Sequence, residues 1–264
     1  VKVTESPEWM KKRLAAIGQR SINAIVDATN YLTQELGQPV HAFDYDKLAG
    51  SGKKEIVIRH AKPGEKVTTL DGKVYELEPW MLVIADSEKA LDIAGIKGGT
   101  NSGIDENTKR VVLSACTFNG PTIRKTSQKL GLRTDASIRF QHGLSAHLAE
   151  MGIKRLTQLI VELAHGVPAE DVLDVYPNPE KPRMIGVTAK DTQRILGVAI
   201  SESDIGKTLD RIGFTWTPGF QVEIPPTRLD LENMPDMVEE IGRFYGYENV
   251  KPILPQYTDR APEP

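Results

Sequence analysis

A single cysteine, Cys116, in a chain of 264 residues leaves no internal disulfide and no cysteine-built zinc site. No run of about 18 apolar residues occurs, so no membrane-spanning helix is expected. The longest apolar windows, such as Met81 to Ala85, are the size of strands. A basic start followed by an apolar core is also missing, so no signal peptide is read, and the default compartment is the cytoplasm. Neither sign of charge dominates: 33 Lys and Arg stand against 36 Asp and Glu, a net of -3. That balance argues against adhesion to nucleic acid through global charge, though not against a local basic groove. None of the five histidines forms a metal-spaced helical pair with another, and a hydrolase nucleophile elbow is absent. The chain opens at Val1 on a helix signal, which reads as a segment of a longer protein.

What is present is ordinary globular composition, 39% hydrophobic and 26% charged. Ser6-Pro7-Glu8 reads as a helix start and Gly18 as its stop. A second helix is expected from about Ser21 to Leu36, ended by Gly37 and followed by Pro39. From Glu55 the pattern turns to short strands: 56–58, 66–70, 73–77, 81–85, 90–94 and 110–118. Asp71-Gly72 between the second and third is a hairpin signal. A helix near 122–130 and a long one over 145–164 complete an α+β domain with a mainly antiparallel sheet and flanking helices.

Three prolines between Pro177 and Pro182 can continue neither a helix nor a central strand. The expected division is therefore a first domain over 1–176, a linker over 177–182, a second domain over 183–256 and a tail over 257–264. The second domain reads β-α-α-β-β-α, a small winged-helix-like α/β order. It carries -4 from residue 180 onward, against +1 for the residues before it.

Three segments of the first domain are richer in polar and special residues than packing requires. Asp27-Ala28-Thr29-Asn30-Tyr31 runs into Gly37-Gln38-Pro39-Val40-His41-Ala42-Phe43-Asp44; the plain reading is helix capping and a polar loop. Gly95 through Gly103 is glycine-rich, which allows either turns or a close approach of backbone to a ligand. Arg124, Lys125, Lys129, Arg133 and Arg139 make a local basic strip, either a solvated face or a phosphate contact. Cys116 reads as a small buried hydrophobe, and His165 as the end of the long helix. In the second domain Asp230, Asp236, Glu239 and Glu240 gather carboxylates around a helix start. Such a set suits a hard cation such as Mg²⁺, or simply the helix dipole.

These motifs, in this order, resemble the bacterial phenylalanyl-tRNA synthetase beta-subunit family over nearly the whole chain. The residues that carry the likeness are Ser6-Pro-Glu-Trp-Met, Arg20-Ser-Ile-Asn-Ala-Ile-Val-Asp-Ala-Thr-Asn-Tyr31, Glu35-Leu-Gly-Gln-Pro-Val-His-Ala-Phe-Asp44, Leu132-Arg-Thr-Asp-Ala-Ser137 and Asp236-Met-Val-Glu-Glu-Ile-Gly-Arg-Phe-Tyr-Gly-Tyr247. The resemblance implies an editing (B-three/B-four) module followed by a B-five module. The parent enzyme attaches phenylalanine to tRNA-Phe with ATP, and this part hydrolyses Tyr-tRNA-Phe made in error. Its implied partners are an alpha subunit, in an α2β2 heterotetramer, and tRNA-Phe.

By motif position the resemblance puts Arg20, Thr29, Asn30, His41, Gly95, Gly98, Ser114, Thr134 and Ala136 in the editing pocket. Arg20 and His41 would meet the tRNA 3′ end, and Thr134 would help to place a water. It also implies a Mg²⁺ site at Asp230, Asp236, Glu239 and Glu240, shared with the alpha subunit and weak or empty in a segment alone. One departure stands out. The family commonly has a glutamate, implicated in recognising the tyrosine hydroxyl, where this chain has Ser114. The other reading is therefore a segment that has lost editing and serves subunit assembly.

Overall fold

Residues 1–52, 54–169 and 172–252 are described by the computed structural model, and they fall into two units, Val1–Val175 and a second starting at Tyr176. The expected tail over 257–264 lies outside the described residues, as does the end of the expected second domain.

In the first unit the helices α1 (Glu8–Ala16), α2 (Ala24–Leu36) and α5 (His147–Ala164) share one apolar core, in which Met10, Leu14, Ile25, Leu32 and Leu156 are completely buried. Each such side chain stabilises the fold by about 1.5–3 kcal/mol relative to exposure. Two helix starts differ from the expectation. Pro7, not Ser6, is the N-cap of α1, because the Ser6 hydroxyl is spent on the carboxylate of Asp27 at 2.5 Å. Helix α2 begins at Ala24 because the Asn23 side chain accepts from the N–H groups of Ile25 and Val26 at 3.1 and 3.0 Å. Asp27 is completely buried and also accepts from Ser21 and from the Ile22 N–H, so it ties the segment before α2 to the helix. On α5, Met151 is 52% exposed and lies off the buried face. His165 ends the helix by taking a left-handed φ of 49°.

The expected sheet is instead three separate antiparallel pieces. The first is a ribbon of β1 (Val40–Asp44) and β8 (Val111–Ala115). The second has four strands in the order β2 (Val57–His60), β5 (Leu82–Ala85), β6 (Ala90–Ile93), β7 (Lys97–Gly98). The third is the hairpin of β3 (Lys66–Thr68) and β4 (Val74–Glu76) around Asp71-Gly72. Strand β1 falls where the sequence reads as polar loop. It forms because its side chains alternate: Val40 and Ala42 join the helical core, while Phe43 joins the core of the four-stranded sheet. The ribbon is thus sandwiched between two cores, which a contiguous sheet would not allow. Helix α3 (Gly120–Leu130) was expected; the short α4 (Asp135–Gln141), capped by Thr134, falls in the basic strip and was not.

The second unit runs β9 (Arg183–Gly186), α6 (Ala189–Leu196), α7 (Glu202–Ile212), β10 (Thr215–Thr217), β11 (Gln221–Ile224) and α8 (Met234–Tyr245). Its three antiparallel strands lie in the order β10-β11-β9. Thr188, Ser201 and Asn233 cap the three helices, and Val187, Ile205, Leu209, Val222, Met237 and Ile241 fill the core. The β-α-α-β-β-α order of the sequence is the order of the fold.

Candidate active site

A cleft of about 460 Å³, its open mouth included, lies between the β1–β8 ribbon and the β6–β7 end of the four-stranded sheet. His41 and Ser114 reach it from the ribbon, where they are direct cross-strand partners. Asp92, Gly95, Lys97 and Gly98 reach it from the sheet and the turn that follows β6. Phe118, Ala136 and Phe140 line another side, and the two phenylalanine rings meet edge to face at 5.0 Å. Apolar rings with a few converging polar groups are the usual build of a small-ligand site.

The polar groups form two sets. Ser114 Oγ lies 3.3 Å from Cys116 Sγ, and both residues are half-buried. Burial pushes the Cys116 thiol up, with the Ser114 hydroxyl opposing. The second set is His41 and Asp92, whose Nε2 and Oδ2 are 3.6 Å apart. That is ion-pair range and beyond hydrogen-bond reach. The His41 ring also sits edge to face on Phe43 at 4.4 Å. Asp92 is almost completely buried on the wholly buried strand β6, and its Oδ1 accepts the Gly99 N–H at 2.9 Å. Burial pushes its carboxyl up, against the pull of His41 and of that N–H. Gly98 is the cross-strand partner of Asp92, and a Cβ there would stand 3.1 Å from His41 Cε1. The bare glycine is what lets the imidazole lie over the strand.

Five of the nine expected pocket residues therefore line one cleft: His41, Gly95, Gly98, Ser114 and Ala136. The other four do not. Thr134 caps α4 and donates its hydroxyl to the Ile96 carbonyl at 2.8 Å, so that hydroxyl is occupied rather than open to a water. Thr29 is buried in α2 with its hydroxyl on the Val26 carbonyl at 2.7 Å. Asn30 is half-buried in α2, and Arg20 is exposed ahead of that helix. Cys116 lines the cleft, where the sequence reads only a small buried hydrophobe. Asp92 was missed, and a signal for it existed: it is the one charge in the apolar run Ala90-Leu91-Asp92-Ile93-Ala94.

The basic strip is largely spent on protein partners. Lys125 lies over the Trp80 ring at 4.2 Å, Lys129 pairs with Glu78 at 2.8 Å and Arg139 donates to Gln34 at 2.8 Å. Among the described residues, Arg20, Arg124 and Arg133 have no side-chain partner and are exposed.

In the second unit the four carboxylates are engaged separately. Asp230 and Glu240 share Arg228, each at 2.6 Å, and Glu240 also takes Arg243 at 2.5 Å. Asp236 accepts the N–H groups of Glu232 and Asn233 at 2.7 and 2.9 Å, and Glu239 is exposed. Among the described residues no cluster of three or more His, Cys, Asp or Glu could hold a metal ion. As they stand, the four do not fit a self-contained Mg²⁺ site, because two of them are already neutralised by arginine.

Comparison with known proteins adds a family. Residues 1–165 match the family model of the B3/4 domain, and residues 185–247 match that of the tRNA synthetase B5 domain. The chain is 41% identical over 271 residues to the phenylalanine--tRNA ligase beta subunit of Dehalococcoides mccartyi (strain CBDB1), with 97% of this chain and 33% of that protein covered. It is 43% identical over 258 residues to the subunit of the same name from Carboxydothermus hydrogenoformans, with 97% and 32% covered. The chain thus spans about one third of the length of these relatives. Among solved structures, an N-terminal fragment of the phenylalanyl-tRNA synthetase beta subunit from Pyrococcus horikoshii aligns with a TM-score of 0.40 and 14% identity, covering 91% of this chain and 67% of that one. No helix among the described residues is long and apolar enough to cross a membrane.

Proposed function

The chain belongs to the B3/4 domain family of phenylalanyl-tRNA synthetase beta subunits, and from that premise we propose that its first unit is an editing hydrolase site for Tyr-tRNA-Phe. The observation that carries the reading is the cleft: His41, Gly95, Gly98, Ser114 and Ala136, far apart in sequence, line one opening of mixed apolar and polar character.

The chemistry is ester hydrolysis. Water adds to the aminoacyl carbonyl carbon, the ester C–O bond breaks, and the tRNA 3′ oxygen leaves with a proton. His41 is one-third exposed in the cleft and meets the ester end of the ligand. Phe118 and Phe140 receive the aromatic side chain. Tyrosine exceeds phenylalanine by one hydroxyl, which an apolar pocket rejects weakly, so a second site that selects the hydroxyl is worth having. Ser114 and Cys116 supply the polar groups for it. Exposed Arg20, Arg124 and Arg133 are available to phosphates of the tRNA.

The parent protein, in this reading, is the beta chain of a cytoplasmic α2β2 ligase that joins phenylalanine to tRNA-Phe with ATP. The second unit contacts the alpha subunit. Mg²⁺ belongs to that assembly: Asp230, Asp236, Glu239 and Glu240 would need the partner's ligands and a release of Arg228, so no step here runs through the ion.

The test is deacylation of Tyr-tRNA-Phe by this chain and by His41→Ala. Hydrolysis by the wild type that falls at least about tenfold in the variant is expected for a group at the reacting ester. Absence of hydrolysis, both alone and with the alpha subunit supplied in an α2β2 enzyme, would sink the reading. A second reading, assembly without editing, is favoured by Ser114 alone, since it offers the cleft only a short neutral hydroxyl, 3.3 Å from Cys116 Sγ.

A further inference from the structure

The pairing of Asp92 with His41 is not explained by packing. A carboxylate on a strand with both faces covered is costly unless a charge or a hydrogen bond meets it. One oxygen of Asp92 has the Gly99 N–H, and the other has only His41, 3.6 Å away. The two residues come from different sheets, β6 and β1, so the pair exists only because the ribbon is laid over the four-stranded sheet. The imidazole is held on two further sides, by the Phe43 ring and by bare Gly98. Its Nδ1 has no hydrogen-bond partner among the described residues.

We propose that Asp92 is a positioning residue for His41: its carboxylate faces the Nε2 edge of the ring at ion-pair range and orients it, leaving Nδ1 as the nitrogen offered to a ligand in the cleft. A buried carboxylate at this range favours the ring edge that can present an N–H to it, which pins the rotation and tautomer of the imidazole in a site walled by Phe118 and Phe140. The other titratable groups facing the cleft are Lys97, whose Nζ is held by Asp71 at 2.7 Å, and the Cys116 thiol. The catalytic consequence rests on the editing reading above, whereas the pairing itself does not.

The experiment is ¹⁵N NMR of the imidazole nitrogens in the wild-type chain and in Asp92→Asn, with His41 identified by its loss in His41→Gln. Asparagine keeps the size and the acceptor for the Gly99 N–H but not the charge. Asp92→Asn should free the Nε2 edge and change the ratio of the two His41 tautomers at a fixed pH. The reciprocal variant, His41→Gln, should raise the midpoint of the Asp92 carboxyl in a ¹³C titration, and this keeps the idea testable if Asp92→Asn folds poorly. In deacylation of Tyr-tRNA-Phe, Asp92→Asn should cut kcat by about 10–100-fold and leave KM nearly unchanged. An unchanged His41 tautomer ratio in a folded Asp92→Asn chain, or an unmoved Asp92 midpoint in His41→Gln, overturns the proposal. A changed tautomer ratio in a chain with no deacylation upholds the pair and counts against the editing reading instead.

Discussion

His41 and Ser114 face each other directly across the β1–β8 ladder, and both line the cleft. Any side chain at 114 is therefore presented beside the imidazole. Ser114→Glu puts a carboxylate into the cleft beside the imidazole, where the proposed editing reading needs a partner for a tyrosine hydroxyl. A hydrogen bond to a charged group contributes about 1.5–3 kcal/mol, so the preference for Tyr-tRNA-Phe over Phe-tRNA-Phe should rise roughly 10–100-fold. The ratio of the two deacylation rates is the measurement. An unchanged ratio in an active variant would show that residue 114 does not read the hydroxyl.

Gly98→Val and Gly99→Ala should separate site from fold. A Cβ at 98 meets the movable His41 ring at 3.1 Å and Leu70 Cδ1 at 3.3 Å, so the imidazole shifts and the sheet survives. Deacylation should drop about 100-fold, as a misplacement of about 1 Å can cost, with Tm changed by only a few degrees. A Cβ at 99 falls 2.0 Å from the Leu91 carbonyl oxygen, which is backbone and cannot yield. Gly99→Ala should lose the cooperative thermal transition or lower its midpoint strongly, which a melting curve reads directly.

Thr134→Val tests the anchoring of α4. The variant loses the cap that accepts the Ser137 N–H at 3.1 Å and the bond to the Ile96 carbonyl. A cap of this kind contributes about 1 kcal/mol, with a range of roughly 0.5–2. The urea midpoint should fall accordingly. Because Ala136 and Phe140 lie on this helix and line the cleft, deacylation should fall too.

Cys116 is expected to be a slow thiol. Burial disfavours its thiolate, so alkylation by iodoacetamide should be sluggish near neutral pH and keep rising beyond the ordinary thiol midpoint of about 8.5. Once alkylated, the added bulk occupies the cleft and should abolish deacylation. Fast labelling at neutral pH, or full activity after labelling, would contradict the geometry.

Arg228→Met probes the acidic set of the second unit by pH. The Arg228 guanidinium holds the Asp230 carboxyl below the usual carboxylate range. Burial works against the charge on Glu240, but bonds from Arg228 and Arg243 outweigh it and hold that carboxyl low as well. Depressed carboxylates stabilise the fold above their unfolded pKa, about 4.3 for glutamate, and the gain is lost as pH falls through the folded values. At pH 7 the variant should be weaker by about 1–3 kcal/mol, mostly through Glu240, since the Asp230 side chain is largely exposed. The difference from wild type should shrink steadily below pH 4 in denaturant titrations. A difference independent of pH would assign Arg228 a packing role only.

Local rules made much of this chain legible from sequence. Asp71-Gly72 marks a hairpin because a tight turn demands those residues. The second unit reads in the right order because its caps and apolar spacing agree with one another at every element. The order of motifs from Ser6 to Tyr247 is enough to place the chain in its family. What the sequence could not decide is which surfaces meet. Strand β1 reads as loop because its alternation is interpretable only once one face has the helices and the other the sheet. Thr29 and Thr134 carry the motif yet give their hydroxyls to backbone carbonyls, Thr29 to Val26 of its own helix and Thr134 to Ile96 on the turn after β6, which only the packing of α4 brings near. Asp92 is 51 residues from His41 and lies on another sheet, and only the stacking of the ribbon over β6 and β7 makes them neighbours. Periodicity fixes elements because it acts within a few residues. The cleft depends on packing between elements, and that is decided by the tertiary fold alone.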